Sequence, residues 1–212
     1  MKNQREHWNE HYLTKHSELT EYKYDPWLEK YFILLHGKKV LDLGSGIGND
    51  SKILVDEGIH VHACDFSKEA LDILSRNLPM VNTTCMDMKE GFPFIESSFQ
   101  VVISDLSLHY FTWDDTLHII NEISRILDKK GILLLRVNSI NDIAYGAGQG
   151  IELEKHLYLV KDRVKRFFTE DELLLLFDNW DITHMEEYTN DRFKRGKKLW
   201  ELCCVKKEKV NG

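Results

Sequence analysis

Val40-Leu41-Asp42-Leu43-Gly44-Ser45-Gly46-Ile47-Gly48-Asn49-Asp50 takes an apolar strand through a glycine-rich turn into a helix. Glycine lets backbone approach a ligand closely, and the carboxyl end of such a strand is where an open α/β sheet binds. Outward from this stretch, short apolar runs alternate with helical patterns. Strands are expected at Lys38 to Leu43, Ile59 to Cys64, Asn82 to Met86, Gln100 to Ser104 and Ile132 to Val137. Between them, Leu71, Leu74 and Leu78 share one helical face after a Ser67 N-cap. Leu117, Ile120, Ile123 and Leu127 share another, which Gly131 is expected to end. Strands separated by helices pair in parallel through right-handed crossovers, giving a doubly wound α/β sheet. Trp180 to Glu187 and Leu199 to Val205, joined by a basic turn, read as a closing antiparallel hairpin.

The chain has 212 residues, enough to bury roughly 70% of its extended surface in one domain with an extension. Apolar runs such as Leu173 to Phe177 fall far short of the roughly 20 residues a bilayer crossing needs. The polar stretch Met1 to Glu10 has no secretory character, so a cytoplasmic protein without membrane association is expected. The formal net charge of −7 disfavours a general nucleic-acid binder. Cys64, Cys85, Cys203 and Cys204 lack zinc-site spacing and read as reduced thiols, and no metal constellation stands out. Adjacent Cys203 and Cys204 are expected on opposite faces of a strand.

Two segments fall outside the strand-helix rhythm. Residues 1–35 read as amphipathic helices, the second opened by Asp25-Pro26, forming an N-terminal helical cap on a domain of residues 36–207. Trp8 and Tyr12, one helical turn apart, are expected to cover the site, Tyr12 on the cofactor and Trp8 on the acceptor. Residues 138–168 show no clear strand and read as an inserted acceptor-side lid. Glycines 146, 148 and 150 would give it hinge freedom, and Tyr145, Glu152 and Arg166 are its candidate substrate contacts. A capping box, Thr169 with Glu172, then opens a helix through Phe177. The basic runs Lys161 to Arg166 and Arg192 to Lys198 read as a helix-flanking face and a solvated turn.

Asp65 closes the second expected strand, 21 residues after Gly44, where an acid can accept hydrogen bonds from both ribose hydroxyls. Asp87 follows the third, within reach of an adenine amino group. Asn49 stands where a dinucleotide fingerprint would place its third glycine, and Asp50 would repel a pyrophosphate. An adenosine without phosphate fits better.

These residues resemble the class I S-adenosylmethionine-dependent methyltransferases, especially the small-molecule type called type 11, over residues 38–137. The resemblance implies a Rossmann-like sheet of seven strands, mostly parallel with an antiparallel C-terminal hairpin strand. It implies S-adenosylmethionine as cofactor and S-adenosylhomocysteine as product. Asp42, Gly44, Ser45, Gly46 and Gly48 match the glycine-loop motif. Asp65 with Phe66 matches the ribose and adenine contacts, and Asp87 with Met88 the adenine edge. Ser104, Asp105 and Leu106 match the fourth-strand motif, whose end contacts the methionine part. His109 and Tyr110 follow as candidate general bases, needed only if the acceptor must lose a proton.

The function expected is methyl transfer to a nucleophile on a small molecule, by a monomer or homodimer. The alternatives are an NAD(P)-dependent oxidoreductase on a related sheet and a non-catalytic cofactor-binding module. An RNA methyltransferase is disfavoured by the net charge.

Overall fold

The computed structural model describes residues 4–16 and 21–208. Among the described residues, ten strands and six α-helices follow in chain order. Helix α1 (Gln4–His16) precedes a 3-10 turn, Pro26–Tyr31, and the short α2 (Phe32–Leu35). The α/β series is β1 (Val40–Leu43), α3 (Asn49–Asp56), β2 (Val61–Asp65), α4 (Lys68–Asn77), β3 (Asn82–Cys85), β4 (Phe99–Asp105), α5 (Trp113–Ile126) and β5 (Leu127–Asn138). Then come β6 (Ile151–Glu154), β7 (Leu157–Val160), β8 (Arg163–Arg166), α6 (Glu170–Leu176), β9 (Trp180–Asn190) and β10 (Lys197–Lys206).

Seven strands form one sheet in the order β3-β2-β1-β4-β5-β10-β9. The first five pair in parallel, and β10 runs antiparallel to both β5 and β9. The doubly wound sheet and its closing hairpin are thus as expected. One apolar layer packs Trp27, Leu28 and Leu35 with Leu54 and Leu74 against one face of the sheet. The other packs Ile119, Ile120, Ile123 and Leu173 with Phe177 against the opposite face. Cys203 belongs to the first layer and Cys204 to the second, and all four cysteines are unpaired. No described helix is long and apolar enough to cross a membrane.

Local signals hold where a cap sets them. Ser67 Oγ accepts from the Ala70 N–H at 3.2 Å, and the Thr169–Glu172 capping box is complete. Other expectations are corrected. The buried face of α5 is Thr116, Ile119, Ile120, Ile123 and Ile126, leaving Leu117 outside it. The helix stops at Ile126, not at Gly131, because Leu127 turns to an extended ψ and starts β5; Lys130 takes the positive φ of the turn. Residues 138–168 are also not strandless: β6, β7 and β8 form a separate antiparallel sheet, anchored by a bridge between Ser139 and Phe168. Its tight turns place His156 and Lys161 at φ 60°, so the usual Gly or Asn punctuation of a hairpin is missing.

Arg136, on β5, is fully buried. Its guanidinium forms a two-toothed ion pair with Asp105 of β4, at 2.7 and 2.8 Å. It also donates to Asp25 at 2.7 Å and to the Tyr188 hydroxyl of β9 at 3.0 Å, and lies over the Trp27 ring. Asp25 additionally accepts from Asn190 at 3.1 Å. Burial pushes the Asp25 pKa up, but Arg136 and Arg192 outweigh it, so the carboxyl ends below its ordinary value. A depressed carboxyl contributes stability at neutral pH that is lost as the pH falls below its unfolded value, near 3.9, through its folded one. Arg136→Ala should cost about 3–5 kcal/mol, because it takes the shared guanidinium from two largely buried carboxylates and leaves them only Arg192 as counter-ion. Urea unfolding at neutral pH checks this, and an unchanged midpoint would remove the network from the fold's support.

Candidate active site

The carboxyl ends of β1, β2 and β4 open into a cavity of about 350 Å³, within the range of small-molecule pockets. Its floor is the glycine loop. Gly44, at φ +79°, donates its N–H to the Cys64 carbonyl at 2.8 Å, and a Cβ there would strike the Ser107 side chain and Met88. Gly46, at φ +54°, donates to Asp65 Oδ2 at 2.9 Å, and a Cβ would stand 2.6 Å from the Tyr12 hydroxyl. Gly48 differs: its Cβ would meet Leu74, so it serves helix packing and does not line the cavity.

The walls are acidic. Asp42 of β1 accepts from the Ser51 hydroxyl at 2.6 Å, and burial foremost pushes its pKa up to about 7. Asp50 accepts from the Trp27 indole at 3.1 Å, and its pKa is raised by burial and by the charges of Asp105 and Asp42. Asp65 takes backbone N–H groups from Gly46 and Ser67, both at 2.9 Å, while burial raises its pKa against them. Its remaining lone pairs are available to hydroxyl donors. Phe66, Asp87, Met88, Asp105 and Leu106 complete the expected lining, with Asp87 also accepting from the Lys89 N–H at 3.0 Å. Leu106 holds a positive φ of 53°, a cost that concentrates at functional sites.

Helix α1 supplies the roof. Trp8, His11 and Tyr12 line the cavity; Trp8 stacks on Tyr12 at 5.8 Å and meets Tyr110 edge-on at 5.4 Å. Burial, then the Asp65 charge, keeps the Tyr12 phenol protonated. Burial also takes Tyr110 up to about 12, so at neutral pH it is a hydrogen-bonding phenol rather than a ready base.

Several expected residues stand outside the lining. Ser104 shares a hydrogen with Ser107 at 2.6 Å; Ser107, which does line the cavity, donates to the Leu43 carbonyl. His109 is buried behind Tyr110, its ring 4.3 Å away and its Nδ1 without a partner. Burial, with Lys197 and Lys165, holds its pKa well below the ordinary value. Arg166 pairs with Glu154 and donates to the Phe111 carbonyl at 3.1 Å, bracing a wall residue from outside. Glu152 accepts from the His156 N–H within its own hairpin, and the Tyr145 hydroxyl accepts from the Arg195 N–H. Glycines 146, 148 and 150 take positive φ, and Gly150 backs onto the Leu159 carbonyl, so turn geometry and close packing account for them.

Sequence reasoning missed Lys23, Asn49, Ser107, Phe111 and Arg192, all of which line the cavity, and treated Asp50 only as a bar to pyrophosphate. It also read Arg192 to Lys198 as a solvated turn. Arg192 instead pairs with Asp25 at 3.1 Å and Asp105 at 3.7 Å, and Lys197 is buried. A signal was present: a strand antiparallel to β5 must begin at the ligand end of the sheet, which carries the preceding turn there. Lys161 to Arg166 flanks no helix; it enters β8, where Arg166 is buried.

The pocket fits an adenosyl cofactor on its own features. The loop admits a ligand against backbone, Asp65 keeps free acceptor capacity, and Ser45 Oγ is a buried polar atom without a partner. Comparison with known proteins agrees. A family model described as a methyltransferase domain matches residues 40–131. The tRNA N(3)-cytidine methyltransferase METTL2 of Bos taurus is 29% identical over 191 residues, 80% of this chain and 50% of that protein. Human METTL2B is 28% identical over 178 residues, covering 76% and 47%. The chain thus spans about half the length of these curated relatives. A SAM-dependent methyltransferase of Methanosarcina mazei superposes with TM-score 0.74 at 20% identity, covering 87% of this chain and 99% of that one. The 1,6-didemethyltoxoflavin-N1-methyltransferase of Burkholderia thailandensis, with bound 1,6-didemethyltoxoflavin and S-adenosylhomocysteine, gives TM-score 0.71 at 20% identity, covering 97% and 88%. At such identities the structures speak for the fold, while the sequence match shows a methyltransferase domain over residues 40–131. With glycine loop, strand-end acids and antiparallel β10 all in place, the chain carries a methyltransferase domain over residues 40–131 and resembles the class I S-adenosylmethionine-dependent methyltransferases.

Proposed function

We propose that the chain transfers the methyl group of S-adenosylmethionine to a nucleophile on a small molecule in the cytoplasm. The observation that carries the reading is the aromatic roof of Trp8, Tyr12 and Tyr110 over a compact cavity. Such a roof leaves room for a small acceptor and keeps water from the reacting atoms. When bound, the cofactor supplies a methyl group already activated by its sulfonium charge for in-line displacement.

The protein's own part is alignment, which for well-oriented partners is worth up to roughly 7–11 kcal/mol. Asp65 receives the ribose hydroxyls, with Phe66, Asp87 and Met88 beside the adenine. Asp42, Asp50 and Asp105 surround the amino-acid end, where their field favours an ammonium. Tyr110 holds its proton at Oη on the acceptor side, with His109 behind it as a neutral orienting group. Residues 4–16 and 21–35, the described part of the expected N-terminal cap, act as the cap, and residues 138–168 flank the acceptor as a lid.

A second reading, an RNA acceptor, is favoured by the relatives named for tRNA methylation, which match across 76–80% of this chain. A methyl-release screen across small-molecule pools and bulk tRNA, read as S-adenosylhomocysteine formed, separates the two. Turnover with tRNA alone would overturn the small-molecule reading.

Asp65→Ala should weaken S-adenosylhomocysteine binding by about 1.5–3 kcal/mol, the range of charge-assisted hydrogen bonds. Calorimetry on the folded variant checks this, and unchanged affinity removes the ribose role. Gly46→Val should abolish measurable binding, since its side chain would displace Tyr12 from the roof. Asp42 sets a pH dependence. A cationic amino-acid end favours the ionised carboxylate, so affinity should strengthen as the pH rises through about 7. Binding near that pH should release a proton, and Asp42→Asn should flatten the profile. A slope of the opposite sign would remove Asp42 from the cofactor site.

A further inference from the structure

Lys197 opens β10 and is only 7% exposed, yet its ammonium meets no oxygen acceptor among the described residues. It lies over two rings instead, 5.7 Å from the Tyr145 centroid and 5.2 Å from the Phe193 centroid. A cation–π contact offsets only part of what an ammonium loses on leaving water. Burial foremost brings the Lys197 pKa down to about 8, with Lys165 and Arg192 pushing the same way and Asp142 and Asp105 pulling back. Lys165, partly buried alongside, donates to the Tyr145 carbonyl at 3.1 Å.

The local carboxylate does not neutralise the pair. Asp142 accepts from the Lys198 N–H at 3.3 Å, its Oδ2 has no partner, and it forms no ion pair with either lysine. His109 beside them is neutral. The surroundings deepen the surplus: residues 155–168 and 191–198 hold ten Lys and Arg against Asp162 and Asp191, in a chain of net charge −7. The two segments meet at Tyr145, whose hydroxyl accepts from the Arg195 N–H. Arg192, on the same hairpin, lines the cofactor cavity.

We propose that Lys197, with Lys165 and Arg192 beside it, receives an anionic group, a carboxylate or a phosphate monoester, carried by the small methyl acceptor. As an acceptor subsite it rests on the methyl-transfer reading; as an anion site it stands on the buried Lys197 and the partly buried Lys165. A nucleic-acid strand would engage the exposed cations Lys161, Lys194 and Arg195, whereas the ammonium of a buried lysine lying over two rings suits one compact acid.

The test is calorimetry on the full chain saturated with S-adenosylhomocysteine, using benzoate, phenyl phosphate, neutral benzamide and a short single-stranded oligoribonucleotide as probes. Benzoate or phenyl phosphate should bind, and whichever binds names the acid; benzamide should bind at least about tenfold more weakly. Lys197→Met should weaken anion binding at least about tenfold and Lys197→Arg should keep it within about threefold, with S-adenosylhomocysteine affinity within about twofold in both. If Lys197→Met loses the cofactor product, Lys165→Met gives the same comparison at a partly buried position. The proposal is overturned if neither anion binds, if benzamide matches benzoate, if the Met variants bind anions as tightly as the native chain, or if only the oligoribonucleotide binds. A native chain that fails to bind S-adenosylhomocysteine overturns the methyl-transfer reading instead, and anion binding without it then decides the site alone.

Discussion

A guanidinium buried in the middle of a sheet sets the terms for the rest of this molecule. Removing Arg136 from water costs several kcal/mol unless its donors are met by acceptors, and the hydrophobic strand around it offers none. Its partners come from three distant places: Asp105 at the end of β4, Asp25 in the N-terminal segment and Tyr188 on β9. Satisfying one residue therefore fixes the end of the strand that carries the cavity wall. It also pins the segment leading into the first apolar layer and aligns the closing hairpin. Trp27, stacked under the same guanidinium, donates to Asp50 and so ties this network to the glycine-loop helix.

Charge is distributed unevenly around the cavity. Asp42, Asp50, Asp65, Asp87 and Asp105 line it, and burial first, then crowding by neighbouring carboxylates, raises the pKa of Asp42 and Asp50. Carboxylates held close together and away from water favour a cationic ligand, which relieves both burial and mutual repulsion. On the other side of Tyr110 the sign reverses, with Lys165, Lys197 and Arg192 outnumbering Asp142. Arg192 joins the two regions, because it is paired to Asp25 and Asp105 while belonging to the basic hairpin. A ligand with positive and negative partners placed in this order would be oriented by the field before any close contact forms.

The insertion after β5 shows why a chemically correct list of residues can miss its geometry. Tyr145, Glu152 and Arg166 are polar groups on a segment leaving the ligand end of the sheet, yet none lines the cavity. The segment folds into its own three-stranded sheet, which spends those groups on bracing contacts: Glu152 on its hairpin, Arg166 on Glu154 and the Phe111 carbonyl. Tyr145 faces the basic hairpin, through Phe193 and the Arg195 backbone.

Local physics made much of this protein legible from its sequence. Apolar periodicity, the Ser67 and Thr169 caps and the run from Val40 to Asp50 specify strand, turn and helix through contacts a few residues apart. The positions of Asp65 and Asp87 follow from where their strands end. The exchange of a third loop glycine for Asn49 is likewise a local choice that bears on ligand class. What the tertiary structure alone decided depends on long-range electrostatics and packing. Asp25 reads as a helix cap and Arg192 as a solvated turn until β5 and β10 bring Arg136 and Asp105 against them. Gly48 reads as a ligand-contacting glycine until Leu74 is seen to fill the space beside it. His109 reads as a base until its burial behind Tyr110 holds it neutral and away from the cavity. A charged residue's neighbours in space are set by strand order rather than by sequence spacing, so its partners, its pKa and its role emerge only once the sheet is assembled.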